Sequence, residues 1–127
     1  MAVLMITHDL GVIAETAHRV VVMYASKIVE KASATELFGS PVHPYTQGLF
    51  RSIPSIAGGH DRLETIEGTV PNPLEFPTGC KFHTRCAFST EHCAEHEPAL
   101  REVSAGHEAA CWLLDPDGPM YDPGKVT

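Results

Sequence analysis

The sequence predicts an α/β fold followed by a small, loop-rich extension that carries cysteines. Three observations lead there. Val3-Leu4-Met5-Ile6 is an unbroken apolar run, the mark of a strand covered on both faces in a parallel sheet, and it turns directly into a helical pattern. Arg19–Tyr24 and Lys27–Lys31 are two further strand-like runs separated by only two residues. The ten prolines and ten glycines fall mostly after residue 38, where loop-rich structure is expected.

In chain order, residues 2–6 read as the first strand, with His8 at its carboxyl end, where open α/β sheets bind ligands. The chain supplies this strand with no parallel neighbour. It is expected to pair with Val20–Tyr24 or with another copy, and self-association follows as an expectation. Residues 9–18 read as a helix with Asp9 in its first turn, and Leu10, Ile13, Ala14 and Ala17 form one apolar stripe. Ala25-Ser26 is the expected tight turn between the next two strands. Ser is less suited than Gly to the positive φ of a primed hairpin turn. Thr35–Phe38 opens a short helix, and a boundary is placed near Gly39-Ser40-Pro41.

Helix resumes at Pro44, with Tyr45, Leu49 and Ile53 inward, and Pro54 ends it. Gly58–Asp61 reads as a flexible link, Leu63–Val70 as a short strand, and Pro71–Gly79 as irregular. From Asp115 onward, prolines and glycines predict a mobile tail. The expected division is therefore residues 1–39, 40–114 and a tail of 115–127.

Composition narrows the function. The formal net charge is −7 and no basic cluster occurs, which argues against nucleic-acid binding and against electrostatic adhesion to membranes. No apolar run approaches the roughly 20 residues of a membrane span. The start lacks the basic flank of a secretory signal, so a cytosolic setting with reduced thiols is expected.

Cys80, Cys86, Cys93 and Cys111 are spaced C-x5-C-x6-C-x17-C. Structural disulfides are disfavoured by the reducing setting. Four thiolates suit zinc, yet the tight C-x2-C knuckle usual at zinc sites is absent. An iron–sulfur cluster also takes four thiolates and tolerates wider separation. Gly79 permits an unusual backbone angle beside the first cysteine, and Phe82, Phe88 and Trp112 are placed to shield a site from water. His83, His92, His96 and His107 lie nearby in sequence and read as supporting groups or alternative ligands.

Leu4-Met5-Ile6-Thr7-His8-Asp9-Leu10-Gly11-Val12-Ile13-Ala14-Glu15 resembles the histidine switch loop of ATP-binding cassette (ABC) transporter ATPases. The resemblance continues through Ala17–Ala25, Ile28-Val29-Glu30 and Glu36-Leu37-Phe38. It then reaches His43-Pro44-Tyr45-Thr46 and the cysteine segment. That order resembles the ATPases of dipeptide/oligopeptide importers. The fold implied is the C-terminal part of a P-loop ABC ATPase domain followed by the family's cysteine-containing extension. In that family the cysteine segment carries a [4Fe–4S] cluster, so Cys80, Cys86, Cys93 and Cys111 are the implied ligands, with zinc as the alternative.

The resemblance also assigns His8 a role, contact with the γ-phosphate and orientation of the attacking water. The Gly-Lys-Ser/Thr phosphate loop, the acidic strand end that holds magnesium and the Gly-rich signature do not occur in these residues. ATP and magnesium are therefore expected only in a complete ATPase, and this chain alone is expected to be inactive. The implied partners are permease subunits and a second ATPase subunit, at the cytoplasmic face of the cell membrane. A stand-alone metal-binding regulatory module, or the remnant of a truncated gene, is the alternative.

Overall fold

The structure, a computed structural model, describes residues 2–7, 9–52, 66 and 68–125. Helix α1 (Leu10–Thr16) begins where the Asp9 side chain accepts from the Val12 N–H at 3.2 Å. This satisfies one of the amide donors that every helix start leaves open. Strands β1 (Arg19–Tyr24) and β2 (Lys27–Ser33) pair antiparallel, from Arg19 opposite Ser33 to Tyr24 opposite Lys27. The turn is as tight as expected, and Ala25 and Ser26 both take positive φ, 49° and 65°. Ser33 then caps helix α2 (Ala34–Gly39), its hydroxyl accepting from the Glu36 N–H.

Helix α3 (Pro44–Arg51) starts at Pro44, as expected, but its buried residues are Pro44, Thr46, Gly48 and Phe50. Tyr45 and Leu49 are half-buried flanks, and Ile53 lies outside the described residues. Phe50 stacks on Phe38 of α2, with ring centres 4.9 Å apart. Together with Val20, Ala32, Ala34 and Leu37 they form the main apolar core.

Helix α4 (Glu91–Glu95), strand β3 (Arg101–Ser104) and strand β4 (His107–Ala109) follow, and then the short 3-10 turns Trp112–Leu114 and Pro123–Lys125. All strands assigned among the described residues lie in one antiparallel sheet of order β1-β2-β4-β3. Glu30 faces Ala109 and Lys31 faces Glu108 across the β2–β4 pair. The sheet thus joins strands from both sides of the expected boundary near residue 39.

Several expectations are corrected. Residues 2–6 form no strand, parallel or otherwise, and do not pair with Val20–Tyr24. Val3, Leu4 and Ile6 are 77%, 88% and 91% exposed. A buried parallel strand is held by ladder partners on its sides, and the described residues offer none to this run. Ile66 and residues 68–70 are not in a strand, while the rest of the expected 63–70 strand and the Gly58–Asp61 link lie outside the described residues. The tail folds back instead of projecting away: the Asp122 N–H donates to the Leu113 carbonyl at 2.9 Å, and Lys125 sits 4.3 Å from the Phe88 ring centre.

Candidate functional site: a four-cysteine cavity

The His43-Pro44-Tyr45-Thr46 segment is explained by what each residue touches. His43 caps α3, its Nδ1 accepting the Tyr45 N–H at 3.0 Å. Burial lowers the His43 pKa to about 4, so the ring is neutral and carries its proton on Nε2, facing Ala110. Pro44 occupies the first helical turn, where its missing N–H costs nothing. The Tyr45 ring meets Tyr24 at 4.7 Å and Phe82 at 5.3 Å, and Tyr24 meets Phe82 edge-on at 5.1 Å. This aromatic triad ties the hairpin, helix α3 and the cysteine loop together.

Behind the segment lies a charged residue that pattern reading misses. Glu30 of β2 is fully buried. Its carboxylate accepts from the Val42 N–H at 3.0 Å and the His43 N–H at 2.9 Å, and it meets His107 Nε2 at 2.5 Å. The other His107 nitrogen lies 3.7 Å from Glu36. One side chain thereby fixes the entry to α3 and the start of β4.

The four cysteines converge. Cys80, Cys86, Cys93 and Cys111 line a single cavity together with His43, Phe82, His83, Phe88, Trp112 and Met120. Their convergence comes from loop geometry. The Cys80 N–H donates to the Cys93 carbonyl at 2.7 Å, and the Thr78 hydroxyl donates to the Ala94 carbonyl at 2.8 Å. Gly79 between them has φ +68°. A Cβ there would overlap the Cys93 carbonyl oxygen and lie 2.7 Å from the Ala94 carbonyl carbon. Gly79 therefore allows both the backbone angle and the close approach of the two cysteine-bearing segments. Cys111 arrives from the end of β4, one residue after Ala110, whose N–H donates to the Val29 carbonyl at 2.9 Å.

All four cysteines are free thiols. Burial pushes the Cys80 thiol up to about 11 and the Cys111 thiol up to about 12. The neighbouring thiols of the set add to the rise in both cases. Burial also raises Cys86. Such thiols hold their protons at neutral pH and release them only to a compensating positive charge, which is how a metal centre would enter. Among the described residues no three His, Cys, Asp or Glu side chains stand at the spacing of ligands to a single metal ion.

The histidines near the cysteines serve as supports. His83 Nδ1 donates to the Cys80 carbonyl at 2.8 Å. His92 packs 4.6 Å from His96 and 4.5 Å from Trp112, whose Nε1 donates to the His96 carbonyl at 2.8 Å. His107 is engaged by Glu30. His8, expected as the switch histidine, lies outside the described residues. Sequence reading also misses Met120 and Thr90. Their signal, a sulfur and a hydroxyl near Cys93, appears only once the tail is seen to return.

A family profile described as "Oligopeptide/dipeptide transporter, C-terminal region" matches residues 29–93. A probable peptide ABC transporter ATP-binding protein, y4tR of Sinorhizobium fredii, is 53% identical over 87% of this chain and 33% of its own length. The dipeptide transport ATP-binding protein DppD of Haemophilus influenzae is 47% identical over 83% of this chain and 32% of its own. DppD of Escherichia coli is 40% identical over 100% of this chain and 37% of its own. The chain thus spans about a third of the length of these relatives. Most of β2, the His-Pro-Tyr-Thr helix and the first three cysteines fall within the profile match, and the chain belongs to the oligopeptide/dipeptide transporter C-terminal-region family.

Proposed function

We propose that this chain acts as the C-terminal part of the ATP-binding subunit of a dipeptide or oligopeptide importer. The observation that carries the reading is its 40% identity, over its full length, to a dipeptide transport ATP-binding protein. In that role it works with a second ATP-binding subunit and with permease subunits, at the cytoplasmic face of the membrane. No helix among the described residues is long and apolar enough to cross a membrane. His8 is the residue that would meet the γ-phosphate in the complete subunit. The phosphate loop and magnesium ligand belong to sequence outside these residues. The purified chain should show no ATPase activity above background. Turnover by the chain alone that vanishes in His8→Ala would overturn this assignment, and an in-frame Gly-Lys-Ser/Thr loop upstream in the gene would support it.

The same reading gives the four-cysteine cavity a [4Fe–4S] cluster held by Cys80, Cys86, Cys93 and Cys111. The fit rests on four thiols lining one cavity and on walls made by Phe82, Phe88 and Trp112. The sequence spacing C-x5-C-x6-C-x17-C, without a tight C-x2-C knuckle, favours a cluster over zinc. When bound, the cluster supplies cross-linking charge and ligation energy that orders loop 79–93 against Cys111. Aromatic walls exclude water, Gly79 brings the two cysteine segments together, and His83 fixes the Cys80 carbonyl. Anaerobically purified protein should be brown and hold iron and acid-labile sulfide in equal amounts. Stoichiometric zinc without iron would reject the cluster.

A further inference from the structure

We infer that the returning C-terminal segment is a lid on the four-cysteine cavity, with Met120 as its closing residue over Cys93. Met120 lines the cavity beside the four thiols. Its Sδ lies 3.6 Å from Cys93 Sγ and 3.0 Å from the Thr90 hydroxyl, which is itself 3.8 Å from Cys93 Sγ. Thr90 precedes α4, and Cys93 sits within it. The Thr90 hydroxyl donates to the thioether, so Met120 is oriented as well as placed. A thioether is apolar and polarisable, and it excludes water without presenting a charge.

The segment is fastened on both sides of Met120. Before it, Arg101 of β3 pairs with Asp115 and, at 3.2 Å, with Asp117. After it, the Asp122 N–H donates to the Leu113 carbonyl, and the Lys125 ammonium covers the ring of Phe88, another wall of the same cavity. These anchors come from the sheet, from the turn after Cys111 and from the cavity wall. The backbone fold alone would not require such convergence. A solute reaching Cys93 from this side must displace Met120.

What the lid covers rests on the cluster reading, but the lid itself is a property of the metal-free chain, so the two can fail separately. The test is timed alkylation of the full 127-residue chain by iodoacetamide, metal-free, reduced and anaerobic, with each cysteine followed by peptide mass. Met120→Ala should raise the rate at Cys93 about threefold or more relative to the other three cysteines. Met120→Leu, which keeps volume and apolarity, should hold the wild-type rate. Met120→Gln, which draws the segment toward water, should behave like Met120→Ala. If Met120→Ala loosens the whole fold, all four rates rise together, and the Leu and Gln variants decide. Equal Cys93 rates in those two would overturn the lid. Reconstitution with ferrous iron and sulfide reads the cluster independently. Failure of wild type to retain iron, with Cys93 still protected by Met120, removes the cluster and leaves the lid. Retained iron with no dependence of Cys93 on Met120 does the reverse.

Discussion

Replacing Glu30 by Ala should be among the most damaging single changes in this fold. The side chain is fully buried and holds three donors: the Val42 N–H, the His43 N–H and His107 Nε2. Truncation leaves all three facing a void. Each buried donor left without an acceptor costs about 1–3 kcal/mol, so with some water entering, the set is worth roughly 3–6 kcal/mol. Total stability for a domain of this kind is about 5–15 kcal/mol, so much of it is at stake. Glu30→Gln keeps the volume and one acceptor oxygen but turns an amide N–H₂ toward a donor. Its cost should be intermediate, about 2–3 kcal/mol. Glu36→Ala is the control. Its carboxylate is 3.7 Å from His107 but 48% exposed, so water screens it and the loss should stay under about 1 kcal/mol. Urea denaturation of the metal-free, reduced chain measures all three, followed by circular dichroism and by Trp112 fluorescence. A Glu30→Ala variant within about 1 kcal/mol of wild type would refute the reasoning, as would equal losses for Glu30→Ala and Glu36→Ala.

Ser26→Gly should stabilise the hairpin by about 0.5–1 kcal/mol. The φ of +65° strains a serine and not a glycine, partly offset by chain entropy, and a urea midpoint that fails to rise would count against it. Gly79→Ala should cost about 3 kcal/mol or more and lower iron retention on reconstitution, because its Cβ meets backbone of Cys93 and Ala94 that cannot rotate away. Wild-type iron content in that variant would contradict the role given to the close approach. For His43, burial lowers the pKa from 6.5 to about 4. Between those values the unfolded chain takes up a proton that the folded chain refuses. Stability therefore falls as pH drops from 6.5 toward 4, by about 3 kcal/mol in all. His43→Asn keeps an acceptor at the helix cap without titrating, and should flatten this part of the urea-midpoint curve; parallel curves would exclude His43 as the source.

The parts of the fold legible in the sequence are those specified locally. The β1–β2 hairpin and the start of α3 at Pro44 follow from neighbours a few residues away, whereas Asp9, read as a first-turn residue, stands one place earlier as the N-cap of α1. The cysteine spacing pointed to one site, and the four thiols do share one cavity. What the sequence hid is set at long range. Strands β3 and β4 are four and three residues long, and in Arg101–Ser104 only Val103 is a strand-like apolar residue. Nothing near Glu30 in sequence announces Val42, His43 and His107 as its partners. Val3–Ile6 carries a strong strand signal that has no meaning without ladder partners. The tail's prolines and glycines suggest mobility, whereas its anchors are Arg101, Leu113 and Phe88.

Two cysteine-bearing segments take their positions from the β1–β2 hairpin, with Val29 common to both. The Val29 carbonyl accepts the Ala110 N–H, and Glu30 faces Ala109, which together place Cys111. Phe82, between Cys80 and Cys86, packs with Val29 and Tyr24 in one buried cluster. A cut near residue 40 would therefore strip Phe82 of two of its core partners, β4 of its ladder to β2, and His107 of its buried carboxylate. Residues 43–113 alone could not hold their four thiols as they are held here. A stand-alone cysteine module is thus disfavoured on physical grounds, apart from any likeness to transporters. The β1–β2 hairpin is the template on which the cysteine cavity is built, and a change in hairpin register would move Cys111 and Phe82 with it.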